Sequence, residues 1–278
     1  SRFFRYSKFI YKWLVQPYTS ELTGNIKTLV FVPDGAFRLV PFAALHDGKR
    51  YLIESYALAV IPALRFSNIE PLEPVSKARS KHAKDILLGG LSQQARPKLK
   101  FVKQELDSIQ NMINSSTVLL DSLFTADNLF YQFKTNTYRY ILLATHGIFS
   151  ETVQSTFLKT SEQDITPDLL EKLLATGQAI EQQSNIELLA LSACQTARGN
   201  ERAALGLAGL AVKSGAQTVI ASLWYIEDKT SALFFPKVFQ ALTSDSVSRA
   251  CALQTAQKKL THLHPAYWSN YVLIGNWM

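Results

Sequence analysis

Cysteine is scarce in this sequence, which has only two among its 278 residues, Cys194 and Cys251. They form no Cys-x-x-Cys pair and are too few for a disulfide framework, so we expect a reducing, cytoplasmic compartment. The five histidines show no metal-ligand spacing. We therefore expect neither a structural zinc nor any other cofactor.

Long hydrophobic runs are also missing. No apolar segment approaches the roughly 18 residues that a membrane-spanning helix needs. The first 18 residues mix basic and aromatic side chains and lack a cleavage site, which argues against a secretory signal. Because the sequence does not begin with Met, we expect it to be cut from a longer protein, with residues 1–24 forming a helical junction to an upstream region.

Two familiar site motifs are absent as well. No G-x-S-x-G elbow is present, which argues against a serine hydrolase of that type. The glycines of residues 206–215 lack both Walker and dinucleotide-binding spacing, which argues against a nucleotide site.

The charge is unbalanced, with a formal net charge of +7. An excess of this kind permits contact with nucleic acid or a membrane surface. Much of it lies in residues 2–12 and in the stretches 76–84 and 96–103. We interpret these as solvated surface, and expect that nucleic acid does not contact this domain directly.

Short apolar runs alternate with amphipathic segments over residues 86–278, after a β-rich part at 25–64 and a linker at 65–85. Wholly apolar strands that alternate with helices indicate a mostly parallel sheet covered on both faces. The prediction is an α/β fold of this kind with an N-terminal β-rich extension. Thr125 and Thr166 are the predicted N-caps of two helices, and residues 203–215 are predicted to form another.

Reactive side chains follow two consecutive predicted strands. His146 comes just past the strand in "YILLATHG", and Cys194 just past the strand in "LLALSACQTA". A helical segment joins the two strands as a crossover connection. Such a connection brings the carboxyl ends of parallel strands to the same edge of the sheet. We therefore expect His146 and Cys194 to be neighbours.

A neighbouring imidazole can take the proton of a thiol and later protonate a leaving amine. The backbone N–H groups of Gly147 and Cys194 are candidate donors to an oxyanion. A lone cysteine after an apolar strand is more often a small buried hydrophobe, and a lone histidine is often structural. Their pairing shifts the balance towards a catalytic dyad, whereas Cys251, beside two alanines in a predicted helix, is expected to be a core residue.

Six blocks of the sequence resemble, in order, those of CHAT domains, the caspase-like domains often found behind tetratricopeptide repeats. The blocks are "FVPDGAFRLVPFAAL", "YLIESYALAVIPAL", "ATHGIF", "LLALSACQTARG", "GLAGLAVKSGAQTVIASLWYIEDKTSALFF" and "HPAYWSNYVLIG". The resemblance covers about residues 25–278. It implies a caspase-like sheet and a cysteine-peptidase site related to that of separase, with His146 as general base and Cys194 as nucleophile.

The resemblance also bears on the substrate pocket. Many caspase-like peptidases that cut after Lys or Arg carry an acid two residues before the cysteine, where this sequence has Ser192. The sequence therefore does not predict a preference for Lys or Arg before the cleaved bond. Glu227 and Asp228 fall where separase-like enzymes also have acidic residues. Asp228 is a candidate for the pocket, and the alternative is that it caps the helix that follows.

The segment after His146 is expected to be a loop that lines the substrate cleft, with Ser155 and Thr156 as candidate contacts. No acidic residue near His146 suggests a third catalytic member, so a backbone group is expected to orient the imidazole.

The leading hypothesis is a cysteine endopeptidase that cleaves a specific partner protein under control of an upstream repeat region or a regulatory partner. The alternative is a catalytically silent interaction or scaffold module with the same fold.

Overall fold

The computed structural model describes residues 2–63, 83–148, 156–178, 186–195, 212, 215–244 and 247–278. Within them, nine strands form one mixed sheet in the order β1-β2-β9-β8-β7-β5-β3-β4, with β6 paired to β5. The strands are β1 Thr28–Phe31, β2 Ala57–Val60, β3 Ala83–Gly90, β4 Ser116–Leu120, β5 Thr137–Ile148, β6 Phe157–Leu158, β7 Leu188–Gln195, β8 Thr218–Ser222 and β9 Tyr271–Gly275. All pairs are parallel except β8 with β9 and β5 with β6.

Helices cover both faces of this sheet. They are α1 Arg2–Leu14, α2 Leu52–Ser55, α3 Val102–Gln110, α4 Ala126–Thr135, α5 Pro167–Gln178, α6 Asp228–Leu242 and α7 Arg249–Lys258. Helix α6 packs between α3 and α7, while α4 packs against α5. The predicted α/β architecture is therefore confirmed, and the β-rich extension joins the main sheet because β2 pairs with β9.

The central strands are buried because apolar side chains meet helices on either side. Ile86, Leu87 and Leu88 of β3 and Leu188 and Leu189 of β7 are all essentially inaccessible to solvent. Strands buried on both faces read as continuous apolar runs rather than as an alternation. This explains why their positions could be read from the sequence.

The chain reverses direction across the sheet at β3, which lies between β4 and β5. From β3 the chain moves outward to the edge strand β4, and from there back past β3 to β5 and on to β7. A reversal of this kind leaves a crevice outside the carboxyl ends of the strands, where ligands bind in open α/β sheets. A ligand site is therefore expected outside the carboxyl ends of β3 and β5.

Gly90 ends β3 at this crevice. A Cβ atom at Gly90 would lie 2.7 Å from the carbonyl oxygen of Ala144 and 2.8 Å from Cγ1 of Val102. The next residue, Leu91, donates its N–H to the same Ala144 oxygen at 3.0 Å. The missing side chain thus lets the segment after β3 leave the sheet against β5.

Both predicted helix caps are confirmed. The hydroxyl of Thr125 accepts from the N–H of Asn128 at 3.0 Å, and that of Thr166 accepts from the N–H of Leu169 at 3.3 Å. Each bond satisfies an N–H that the first turn of a helix otherwise leaves unpaired.

Removal of the first cap is expected to cost stability. Thr125→Ala should lower the free energy of unfolding by about 1 kcal/mol, because the Asn128 N–H loses its acceptor. Urea denaturation measures this change. Ser122→Ala, at an exposed position in the preceding turn, is the matched control and should leave the midpoint unchanged. Equal midpoints for both variants would contradict the assignment of the cap.

Some sequence predictions lie outside the described residues. They are the helix at 203–215, apart from Val212 and Gly215, and the linker at 65–85 as far as residue 82. The prediction was wrong for residues 83–85, which begin β3 because they pair with β5. Among the described residues, no helix combines the length and apolarity that crossing a bilayer requires.

Candidate active site

His146 and Cys194 lie side by side in adjacent parallel strands. They are Cα partners in the register of β5 with β7, and Gly147 pairs in the same way with Gln195. Neighbouring strands are about 4.8 Å apart. The crossover connection through α5 therefore brings the two residues together at the carboxyl edge of the sheet.

The two strands continue further than predicted. His146 and Cys194 were expected just past their strands, but β5 runs to Ile148 and β7 to Gln195. The extension of β5 has a physical cause, since β6 adds an antiparallel pair at Gly147 and Ile148. In addition, Lys159 donates its N–H to the carbonyl oxygen of His146 at 2.8 Å. The backbone at His146 is thus held on both sides.

The imidazole of His146 is half-buried and has a hydrogen-bond partner in a remote segment of the chain. Its Nε2 lies 2.6 Å from the carbonyl oxygen of Pro97. A carbonyl oxygen only accepts, so Nε2 carries the hydrogen and Nδ1 remains as the second ring nitrogen. Pro97 belongs to the segment that follows β3, next to β5 in the sheet.

Ser192 does not lie alone at the position two residues before Cys194. It is buried, and its hydroxyl donates to Oε2 of Glu105 on α3 at 3.1 Å. The Glu105 side chain is completely buried, and within the described segments its other oxygen, Oε1, has no hydrogen-bond partner. Burial raises the pKa of Glu105 to about 8, and the negative charge of Asp228 adds to this effect. The carboxyl group of Glu105, which is largely neutral at pH 7, is thus hydrogen-bonded to Ser192.

Asp228 is the first residue of α6, and the cap position before it is held by Glu227. The alternative interpretation of Asp228 as the cap of its own helix is therefore wrong. Its Oδ2 instead accepts the N–H of Phe101 at 2.9 Å, and its Oδ1 accepts the N–H of Lys229 at 3.0 Å. The first of these bonds ties the start of α6 to the start of α3.

The remaining candidates for the substrate pocket differ in their exposure to solvent. Glu227 is exposed and makes no side-chain cap bond, whereas Thr156 is buried at the start of the segment that returns through β6. Ser155 lies outside the described residues. The structure thus brings Ser192 and Asp228 together around Glu105, while Glu227 points to solvent.

The family model described as "CHAT domain" matches residues 5–276, nearly the whole chain. The chain belongs to the CHAT domain family. This confirms the resemblance read from the sequence blocks, and the match also extends over most of α1.

Among curated proteins, this CHAT domain is similar to human tetratricopeptide repeat protein 28, with 20% identity over 320 residues. The alignment covers 96% of this chain but only 13% of the human protein. The chain thus corresponds to a small part of a much longer relative.

Solved structures show the same fold at low identity. Two crystal structures of the separase–securin complex from Saccharomyces cerevisiae, at 3.0 and 2.6 Å resolution, match with TM-scores of 0.59 and 0.57. Each match has 16% identity and covers 94% of this chain and 16% of the yeast chain. The CHAT domain therefore shares its fold with a segment of that complex.

Two features of this CHAT domain were missed from the sequence. Pro97 is remote from His146 along the chain, and no local pattern singles out its carbonyl group. Glu105 carries a signal that could have revealed it. The residues that α3 buries are Val102, Glu105, Leu106 and Ile109, so the acid occupies one position of the inward-facing stripe that the apolar residues define.

Proposed function

We propose that this CHAT domain is a cysteine endopeptidase in which Cys194 is the nucleophile and His146 the general base. The observation that carries the proposal is the pairing of these two residues across β5 and β7, with the imidazole held through Nε2 by Pro97. Among the described strands, Cys194 is the only cysteine at the carboxyl edge. A histidine with a purely structural role would not need to be paired with this cysteine and also be held through Nε2.

The bond to Pro97 determines which nitrogen can act as the base. Because Nε2 donates its hydrogen to the carbonyl oxygen, Nδ1 carries the lone pair in the neutral ring. In the proposed reaction, Nδ1 takes the proton of the Cys194 thiol, and the thiolate attacks the carbonyl carbon of a peptide bond. The Pro97 oxygen then stabilises the imidazolium and keeps its ring in place, as a carboxylate does in a triad.

Collapse of the tetrahedral intermediate completes the first half of the reaction. The backbone N–H groups of Gly147 and Cys194 are the proposed donors to its oxyanion. The proton on Nδ1 passes to the leaving amine as the carbon–nitrogen bond breaks. Water, activated by the same nitrogen, then hydrolyses the thioester and regenerates the thiol.

We propose that the substrate cleft is next to Ser192. The further candidates for contact with the substrate are Thr156, Glu227, Asp228 and Ser155. Ser192 supplies only a hydroxyl, which Glu105 already accepts from. One oxygen of Asp228 is likewise engaged with Phe101. The sequences at the cleaved bonds identify the residues that the cleft prefers.

The proposed partners are a protein substrate and a regulatory repeat region. The human relative is named for tetratricopeptide repeats, and this chain covers 13% of it. We propose that the domain works in the cytoplasm, next to such repeats in its own chain or on a partner.

Mapping of new protein N-termini tests this function. A lysate treated with the wild-type chain should gain a defined set of N-termini that is absent after treatment with Cys194→Ala. Cys251→Ala, which removes the half-buried cysteine of α7, is the matched control and should produce the wild-type set. The same set from wild type and Cys194→Ala would contradict the proposal, and no new termini at all would favour a scaffold module.

A further inference from the structure

The carbonyl group that holds His146 lies in a short loop between β3 and α3, residues 92–100, which we call the Pro97 loop. The base of the loop is closed by two bonds between the same residues. The hydroxyl of Ser92 donates to the carbonyl oxygen of Leu99 at 3.0 Å, and the N–H of Leu99 donates to the carbonyl oxygen of Ser92 at 3.2 Å. Pro97 itself is exposed near the tip.

The carboxylate of Asp121 holds the first part of this loop. Its Oδ1 accepts the N–H groups of Ser92 at 2.7 Å and Gln94 at 3.1 Å, and its Oδ2 lies 3.3 Å from the N–H of Gln93. Three successive backbone N–H groups that converge in this way form a concave anion site. In this protein the anion is supplied by a side chain of the same chain.

The backbone of Asp121 is shaped for this contact. It follows β4 directly and has φ = 51°, the one positive φ of a residue other than glycine among those described. Aspartate tolerates this left-handed conformation better than most residues. Since β4 pairs with β3 up to Leu120 opposite Gly90, the turn at Asp121 places its carboxylate against the segment that leaves β3.

The far end of the loop is held by a second carboxylate. The N–H of Phe101, the residue just before α3, donates to Oδ2 of Asp228 at 2.9 Å. The loop that carries Pro97 is therefore fixed at its start by Asp121, at its base by Ser92, and at its end by Asp228. Of these three, Asp121 makes the most bonds to the loop, and among the described residues it has no hydrogen bond to His146.

We propose that Asp121 is a positioning residue, whose carboxylate orders the Pro97 loop so that the Pro97 carbonyl fixes the tautomer and orientation of His146. The role deepens the proposed peptidase function and rests on it for its catalytic consequence. The effect on the imidazole does not depend on catalysis and can be measured separately.

Nitrogen NMR of histidine side chains tests the positioning directly. In the wild-type chain, the neutral ring of His146 should carry its hydrogen on Nε2, with the signal assigned by its loss in His146→Ala. In Asp121→Ala the signal should move towards a mixture of the two tautomers. Asp121→Asn, which tolerates the same φ and keeps one acceptor oxygen, should give an intermediate signal and covers the case in which the alanine variant fails to fold.

Asp127→Asn is the control for loss of one negative charge, because Asp127 is exposed in the first turn of α4. It should leave the His146 signal unchanged. If folded Asp121→Ala and Asp121→Asn both keep the wild-type tautomer, the positioning role is overturned. This conclusion holds whether or not the chain cleaves protein substrates.

The catalytic consequence is measured on a substrate found by N-terminal mapping. Asp121→Ala should lower kcat by on the order of 10- to 100-fold, since small displacements of a catalytic group have effects of this size, with KM little changed. An altered tautomer in a chain that cleaves nothing would retain the positioning role and reject the peptidase. An unaltered kcat together with an altered tautomer would overturn the catalytic part of the proposal.

Discussion

His146→Ala should lower the rate of substrate cleavage by about 10²- to 10⁴-fold, which is the usual contribution of a general acid–base residue. Without the imidazole, the thiol proton loses its proposed acceptor and the leaving amine loses its proposed donor. KM should change little, because in the proposed mechanism His146 acts on the proton and not on the bound peptide. Initial rates over a range of substrate concentrations separate the two parameters.

His262→Ala is the matched control, since His262 is an exposed histidine near the end of the chain. It should keep the wild-type rate. Circular dichroism of His146→Ala should match the wild-type spectrum, because the ring is only half-buried and forms one bond to Pro97. A folded His146→Ala variant that cleaves at the wild-type rate would rule out the proposed base.

Glu105→Gln should remove a large pH dependence of stability. The pKa of Glu105 is raised from 4.5 to about 8 by burial. The folded chain therefore holds a proton that the unfolded chain releases as the pH rises above 4.5. Wherever the folded state binds more protons, stability falls as the pH rises. The contribution of neutral Glu105 is present at low pH and is lost as the pH passes through about 8.

The expected size follows from about 1.4 kcal/mol for each pH unit of difference. Between pH 5 and 8, Glu105 should lower the free energy of unfolding by about 3 kcal/mol in the wild-type chain. Glutamine has the shape of the neutral acid and can still accept from Ser192, so Glu105→Gln should lack this loss. Urea denaturation at a series of pH values measures both curves.

Glu171→Gln provides the comparison for Glu105→Gln, because Glu171 is exposed on α5. Its stability curve should run parallel to that of the wild type. Parallel curves for Glu105→Gln and the wild type would mean that Glu105 is ionised in the folded chain at neutral pH.

The sequence was informative wherever local chemistry decides structure. Thr125 and Thr166 could be identified as caps because each precedes a helical segment and has a hydroxyl within reach of the first turn. The carboxyl ends of β5 and β7 could be placed at the same edge of the sheet because a helical crossover connects strands that run parallel. The second inference was enough to bring His146 next to Cys194.

The sequence was uninformative where tertiary contacts decide. The contact of Pro97 with His146 depends on how β3 lies next to β5 in the sheet, which the order of elements along the chain does not reveal. Aspartate is a residue type that often caps helices, yet the carboxylate of Asp228 accepts the N–H of Phe101 because α3 and α6 pack together. The role of Asp121 likewise depends on the pairing of β4 with β3.

The central claim is that Cys194 is a nucleophile activated by His146, and covalent labelling tests it most directly. A peptidyl acyloxymethyl ketone should form one adduct, and tandem mass spectrometry should locate it on Cys194. Labelling should persist in Cys251→Ala, fall sharply in His146→Ala and disappear in Cys194→Ala. An adduct that forms equally on Cys194 and Cys251, or at the same rate without His146, would contradict the account.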